Sequence, residues 1–439
     1  MSNPSTAYPV THTWGSKETF AFRTGFLFLL LLSIPWDPGF YKSLFTLNAD
    51  RLQQLYEIGY AGPFANTFGL FSGWLIAAVL AIAGAAIWTN RSSGKALNYD
   101  QLFYFTRVVL RYRLAWAFIG SGLVLLLPFQ LPAPSISDLH TAYGDFLPWK
   151  IYYHSTAVSS AGYRQTLGAF ELFGAILLLF RRTAAIGALL IAFLLGNIVL
   201  VNFAYDLGSQ VYSSYLLLVA LFLLIYDFPR FYAVLVTGSA IVADRFRPET
   251  RYGFYRWRTI LKGSFLAITL LLTGFAFARF SGDNWPYPQT PGLAGASGYY
   301  QVDSFQVNGK LIPPSYTDDT RWRDVVFEKW NTFSIRYNQP HQPPPERPQI
   351  AFRDDTNRNY EWIGNGGRNF YRYTVSGDSI LGINPANPAD KMNLRLQRPD
   401  EKTITLQGSN TRGDQFSVTL HRVNKKYLLY TGRRKPVSI

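Results

Sequence analysis

Glu171 is the residue in this chain whose type and place most suggest chemistry. It lies in Gly168-Ala169-Phe170-Glu171-Leu172-Phe173-Gly174-Ala175-Ile176-Leu177-Leu178-Leu179-Phe180, a stretch that is otherwise apolar and ends at Arg181-Arg182. An ionisable group inside an apolar span is costly and usually faces a bundle interior or a water-filled cavity. Such a carboxyl group either accepts a proton or ligand within the membrane, or bonds neighbouring helices together. Glu171 precedes Arg181 by about ten residues, so about 15 Å of helix separates it from that end of the span. Other polar residues gather toward the opposite end: Gln130 closes the preceding span, Asn197, Asn202, Tyr205 and Asp206 close the next, and Tyr212 opens the one after. These six would line an outward-facing cavity with Glu171 as its floor and proton acceptor. The alternative is structural: Asn202, Tyr205 and Asp206 make a helix cap and turn, and Asn197 bonds helix to helix.

Arg107, Arg111, Arg181 and Arg182 lie at the other end of these spans. Arg107 and Arg111 are four apart and share a helix face. They either contact lipid phosphate or pair with Asp227, and snorkelling to the headgroups is the simpler expectation, as it is for Arg113. No metal site is expected. The five histidines, His12, His140, His154, His341 and His421, have no helical pair spacing, and none falls in a span. His140 and His154 share one loop, where isolated histidines are usually solvated. The chain has no cysteine, which removes disulfides, thiolate metal sites and cysteine nucleophiles. There is no phosphate-binding glycine loop and no nucleophile elbow. Redox cofactor ligands are lacking, so any electrons must come from a partner or a diffusible group.

The elements that would hold these residues are apolar helices. Hydrophobic residues make up 48% of the 439 and charged ones 16%, yet the mean hydropathy is only +0.03. Two unlike parts explain this: an apolar part to about Phe280 and a polar part after it. About 20 apolar residues cross a hydrocarbon core. Seven segments qualify or nearly so, at about 20–36, 67–89, 108–131, 165–180, 183–203, 208–226 and 259–280. Basic residues concentrate in alternate loops: Arg91, Lys95 and Arg107, then Arg181-Arg182, then Arg230 through Arg258. Cytoplasmic loops carry such an excess, so the N-terminus is expected inside and the C-terminal part outside. Leu44–Tyr60 and Phe231–Val242 look amphipathic and interfacial. The formal charge of +15 is then a matter of topology and lipid contact, and no nucleic-acid motif accompanies it. Met1 to Glu18 is polar and does not resemble a signal peptide.

After a Gly/Pro linker at 281–298, the pattern changes to alternation, as in Thr332-Phe333-Ser334-Ile335-Arg336-Tyr337, Lys402-Thr403-Ile404-Thr405-Leu406 and Phe416-Ser417-Val418-Thr419-Leu420. Period two with β-branched and aromatic residues means half-buried strands. Asn308-Gly309, Ser376-Gly377-Asp378, Arg398-Pro399-Asp400 and Arg412-Gly413-Asp414 mark the turns. The short spacing predicts an antiparallel barrel or sandwich of about eight strands. Arg321-Trp322-Arg323-Asp324 and Tyr371-Arg372-Tyr373 fit either a binding surface or barrel packing with the arginines in water.

An ordered series of short motifs resembles the DoxX-like family of bacterial integral membrane proteins. It comprises Leu110-Arg111-Tyr112-Arg113-Leu114-Ala115, Gly122 through Pro128-Phe129-Gln130, Tyr163-Arg164-Gln165, Glu171-Leu172-Phe173-Gly174-Ala175, Leu179-Phe180-Arg181-Arg182-Thr183, Gly187-Ala188-Leu189-Leu190 and Asn202-Phe203-Ala204-Tyr205-Asp206. The resemblance implies a four-helix unit over 105–230 and a membrane subunit linked to quinone-dependent oxidation. It departs at Leu125, where the family often carries a lysine, so Glu171 would lack that partner.

Together these readings predict an α-helical polytopic membrane bundle of about seven transmembrane helices with a C-terminal all-β antiparallel domain. The expected divisions are 1–104 (tail, two spans and an interfacial helix), 105–230 (four-helix unit), 231–280 (interfacial segment and last span), the linker at 281–298, and 299–439 (β domain). The expected setting is a bacterial inner membrane with the β domain periplasmic or extracytoplasmic. The first functional expectation is a subunit of a membrane oxidoreductase or respiratory assembly, holding a quinone or small lipid-soluble ligand. The alternative is a non-enzymatic anchor or scaffold presenting the β domain to a protein partner. Lipid and other membrane or periplasmic proteins are the expected partners.

Overall fold

A computed structural model describes residues 14–34, 41, 70–92, 98–126, 133–158, 161–239, 252–280, 287–343 and 358–432. The chain divides into two units: Met1–Leu127 with Gln165–Arg279, and Pro128–Arg164 with Phe280–Ile439. The second unit takes in the segment between the third and fourth predicted spans, which the sequence pattern had assigned to the four-helix unit.

The helical unit contains α1 (Ser16–Ser33), α2 (Ser72–Arg91) and α3 (Tyr99–Leu126). In the other unit, the segment at 133–158 forms α4 (Ile136–Leu139) and α5 (Pro148–Ala157). The helical unit resumes with α6 (Ala161–Leu179), α7 (Ala184–Ala204), α8 (Gln210–Ile225), α9 (Phe228–Tyr232) and α10 (Tyr252–Phe280). Small residues set its packing. Ala77, Ala81 and Ala85 recur every fourth position of α2 and are fully buried. A Cβ on Gly168 of α6 would lie 2.6 Å from the carbonyl oxygen of Gly122 in α3, and one on Gly187 of α7 would lie 2.9 Å from that of Gly174 in α6. Such contact lets helices associate where lipid tails remove the hydrophobic driving force. Leu114, Phe118, Leu178, Ile191 and Val219 form the core between them.

Among the described residues, three helices are long and apolar enough to cross a membrane: Ser72–Arg91, Tyr99–Leu126 and Ala184–Ala204. The pair Gln210–Ile225 and Phe228–Thr237, bent by 70°, makes a fourth if it is one span. These helices are compatible with a membrane protein, but the expected seven spans are not supported. Charge contributes to this: α1 carries Lys17, Glu18 and Arg23, and α6 carries Arg164 and Glu171; within α10, the described stretch Thr259–Leu271 is a shorter apolar helix. The third helix also starts at Tyr99, about two turns before the expected 108, because amphipathic helix continues beyond the apolar run. The segment at 44–60 lies outside the described residues.

The β strands are β1 (Gly298–Val307), β2 (Lys310–Leu311), β3 (Asp324–Phe327), β4 (Thr332–Arg336), β5 (Asn369–Ser376), β6 (Ser379–Ile383), β7 (Lys391–Gln397), β8 (Thr403–Asn410) and β9 (Gln415–Val423), followed by α11 (Leu428–Thr431). β1 pairs with β3 on one edge and β9 on the other, so eight antiparallel strands close into a barrel. The two-residue β2 is a spur on the end of β1, across the Asn308-Gly309 turn. Eight strands leave an interior just wide enough for side chains. Phe305, Trp322, Phe327, Phe333, Tyr371 and Tyr373 occupy it with aliphatic residues. The alternative of a sandwich is thereby removed.

Candidate functional site

The residues expected to line one cavity are divided by the helical unit. Asn202 is buried and donates to Ser213 Oγ at 3.0 Å, and Ser213 donates to the Gln210 carbonyl at 3.1 Å. Gln210 donates to Asp206 Oδ1 at 2.7 Å. Asp206 has φ 50°, the left-handed conformation that Asp tolerates in turns. This is the cap-and-turn arrangement joining α7 to α8, so Asn202 and Asp206 serve structure. Tyr205 and Asp206 are exposed. Asn197 is exposed too, on the outer side of α7, and so leaves the predicted cluster. Tyr212 has the Arg113 guanidinium 5.9 Å from its ring, and Tyr215 has it at 5.8 Å. Arg113 therefore packs inward rather than snorkelling. Gln130 lies outside the described residues.

Glu171 is buried, as the sequence suggested. Ser121 of α3 is its hydrogen-bonding neighbour, and its Oε2 has no hydrogen-bond partner. The Gly122–Gly168 crossing, one helical turn away, brings α3 and α6 close enough for that contact.

The arginines are less free than expected. Arg107 pairs with Asp227 at 3.2 Å and lies 3.6 Å from the Tyr226 ring centroid, while Arg230 reaches the other Asp227 oxygen at 2.7 Å. Thus Arg107 ties α3 to the start of α9 and is not a freely snorkelling side chain. Arg111 lies 5.5 Å from the Tyr112 ring and Arg181 lies 5.7 Å from the Tyr104 ring. Arg182 is exposed. Arg23, unforeseen, is buried and donates to Thr89 (2.7 Å), Ser92 (2.8 Å) and Tyr99, strapping α1 to the end of α2 and the start of α3.

Among the described residues, a dense set of buried ionisable groups is in the other unit, where sequence reasoning named none as a site. The segment at 133–158 grips the barrel through it. Ser135 and Asp138 form a reciprocal capping box that starts α4. Glu328, after β3, accepts from Ser137 Oγ at 2.6 Å and Ser137 N at 2.8 Å. Asp138 holds Lys150 at 3.2 Å and His154 at 3.5 Å. Lys150 Nζ also donates to the carbonyls of Glu361 (2.8 Å) and Tyr360 (3.2 Å). Arg368 pairs with Asp324 at 2.6 Å and donates to Ser334 Oγ at 2.7 Å and the His140 carbonyl at 3.3 Å. Arg358 pairs with Glu361 at 2.7 Å, and Trp330 donates to the same carboxylate. The loop Gly364-Asn365-Gly366-Gly367 admits the segment closely: a Cβ on Gly364 would lie 2.4 Å from Trp149, and Leu147 N donates to the Gly364 carbonyl at 2.9 Å.

The electrostatics follow from burial. Burial pushes the Asp138 carboxyl up, but Lys150 and His154 outweigh it and hold the group well below the usual carboxylate range. Burial pushes Lys150 below the usual ammonium range, against Asp138. Glu328 is pushed up to about 7 by burial, against its Ser137 bonds and with the help of Glu361 and Asp138. His140 stacks on Tyr299 at 3.6 Å and bonds Tyr427 OH at 2.8 Å, and burial pulls it down to about 4. It is therefore a buried neutral histidine, not the solvated one expected. Ser137 and Ser334 are fully buried, so their hydroxyls meet no substrate. The arrangement can clasp two chain segments and take up a proton near neutrality. Among the described residues, no group of three or more His, Asp or Glu is placed to hold a metal ion. The repeated glycines of Gly364–Gly367, flanked by Glu361 and Arg368, are the sequence feature that sequence reasoning passed over and that points to this clasp.

No protein-family model matches the chain, and no solved structure matches it. Over 126 residues, 28% of this chain and 78% of the other, it is 32% identical to the uncharacterized protein YwoB of Bacillus subtilis strain 168. The chain belongs to the YwoB family. The kinship covers little more than a quarter of the chain and brings no activity with it.

Proposed function

We propose that this protein is a non-enzymatic membrane anchor that mounts a β barrel on the extracytoplasmic face and presents it to a protein partner. The observation carrying this reading is the clasp: the stretch between α3 and α6 is spent on gripping the barrel with buried charge. A tethered domain needs one linker. Here the chain passes between the units after Leu127, after Arg164 and after Arg279. A seven-span topology is the finer form of this proposal. If the helices cross a membrane, the clasp and the barrel share one side, so an even number of crossings must lie between 164 and 280. Helices α6, α7, α8 and α10 supply four. The basic loops at Arg91–Lys95, Arg181-Arg182 and Arg230–Arg258 then fall on the opposite side, as cytoplasmic loops do.

A second reading rests on Glu171. Its partnerless oxygen beside Ser121 favours a proton-accepting site in a quinone-linked oxidoreductase subunit. One experiment separates the parts. In spheroplasts, Tyr143→Cys and Tyr316→Cys, at exposed places in this cysteine-free chain, should both react with an impermeant maleimide, and Arg182→Cys only after permeabilisation. Opposite behaviour of residues 143 and 316 sinks the mount. Stoichiometric quinone, flavin or haem in the purified protein, with activity lost in Glu171→Gln, would replace the anchor by the oxidoreductase.

A further inference from the structure

Helix α7 carries two carboxamides and no charge. Asn202 is buried and bonded to Ser213. Asn197 is exposed, and none of the described residues gives its side chain a hydrogen bond. It stands seven residues before Ala204, so about 10 Å inside that end of the helix at 1.5 Å per residue. In a membrane span this depth is hydrocarbon, where a carboxamide finds no solvent partner and its unmet bonds are costly. Its neighbour Gly196 is equally unexplained within one chain. A Cβ there would meet nothing within 4 Å, whereas Gly174 and Gly187 are in close contact with neighbouring helices. Glycine weakens a helix interior, and in membranes it allows a second backbone to come close. Around this pair, Ile186, Leu189, Phe193, Gly196, Leu200 and Phe203 follow one another at steps of three and four, the repeat of a left-handed helix pair. The five of these with side chains are exposed on α7, with Phe193 78% accessible and Phe203, at one end of the row, stacked 6.3 Å from the Phe71 ring.

We propose that this face of α7 is a self-association surface, and that its occupant is a second copy of the chain. A carboxamide both donates and accepts, so Asn197 can exchange two hydrogen bonds with Asn197 of the partner subunit across a two-fold axis. A two-fold interface sets the same patch on both sides, and this patch has no charge to repel its copy. Gly196, next to Asn197, lets the helices approach closely enough for the amides to meet. The inference goes beyond the anchor reading and requires only that α7 lies in the membrane.

The test uses the full-length chain in native membranes. Phe193→Cys, on the face, and Leu75→Cys, an exposed position on α2, are oxidised with copper phenanthroline. A homodimer band at residue 193 well above that at residue 75 is expected. In lipid nanodiscs or by single-molecule photobleaching, Asn197→Leu should weaken dimerisation on the order of tenfold, the consequence of losing interhelical amide bonds. Asn197→Gln, which keeps donor and acceptor, should restore most of it. Because Asn197 is exposed and none of the described residues hydrogen-bonds its side chain, expression and thermal unfolding of the monomer should not change. Cross-linking at residue 193 no greater than at residue 75, cross-linking to a different polypeptide, or a dimer fraction indifferent to Asn197→Leu would each overturn the proposal.

Discussion

The helical unit and the barrel unit join distant segments by opposite chemical means. In the first, α3, α6 and α7 meet at glycines, with backbone carbonyls against neighbouring helices. In the second, 133–158 meets the barrel at buried carboxylates, arginines and a lysine. If the helices cross a membrane, the difference follows from the surroundings of each fold. Between helices in lipid, apolar side chains gain little over lipid tails, so close packing decides. A barrel filled by its own aromatic residues has its apolar interior already occupied. The segment laid against its outside is held by polar groups, and each of these must find a partner.

The largest test of this contrast removes one member of a buried pair. Arg368→Met leaves Asp324 buried without its cation, and both groups are nearly inaccessible. Breaking such a pair costs about 3–5 kcal/mol. Hydrogen exchange of β3, β4 and β5 in the full-length protein should show that loss, while α6 and α7 stay protected. A loss below about 1 kcal/mol would mean that water reaches the site, since exposed pairs are worth no more.

Titration sharpens the comparison further. Glu328 is raised from 4.5 to about 7, so the folded unit keeps a proton that the unfolded chain releases. Stability contributed by this group is present below 4.5 and is lost as pH rises through about 7, some 3 kcal/mol in all at about 1.4 kcal/mol per unit. His140 is lowered from 6.5 to about 4. Its contribution has the opposite sign, growing as pH rises from 4 to 6.5, and His341, also lowered by burial, adds to that growth. Wild-type stability of the barrel unit should therefore vary little between pH 4.5 and 6.5. Glu328→Gln should unmask a rise with pH, and His140→Gln should unmask a fall. Denaturation followed at four or five pH values would show it, and parallel curves for both variants would contradict the assignment. Asp138, held low by Lys150, contributes stability that disappears only as pH falls below the ordinary carboxylate range.

The smallest effect belongs to the helices. Gly168→Ala puts a methyl group 2.6 Å from the Gly122 carbonyl oxygen and should cost about 1–3 kcal/mol by overpacking. Gly263→Ala, where a Cβ meets nothing within 4 Å, should be neutral or stabilising by up to about 1 kcal/mol. Equal melting temperatures for the two variants would remove the packing role given to the Gly122–Gly168 crossing.

Local pattern alone determined much of this protein. Alternation at Thr332–Arg336 and at Thr403–Leu406 marked strands, Asn308-Gly309 and Gly377-Asp378 marked their turns, and long apolar runs marked α2, α3 and α7. Each of these signals lies within a few residues of its effect. Partner choice does not. Nothing near Arg368 names Asp324 and nothing near Glu328 names Ser137, while for Arg107 the sequence left Asp227 and lipid phosphate both open and only the packing chose Asp227. Nor does the sequence separate two asparagines five positions apart on one helix. Five residues of α-helix turn the chain by about 500°, which leaves a net 140°. That rotation buries Asn202 against Ser213 and aims Asn197 outward. Which face looks inward depends on the helices that pack around it, so tertiary structure alone decided which asparagine was spent on the fold and which was left over.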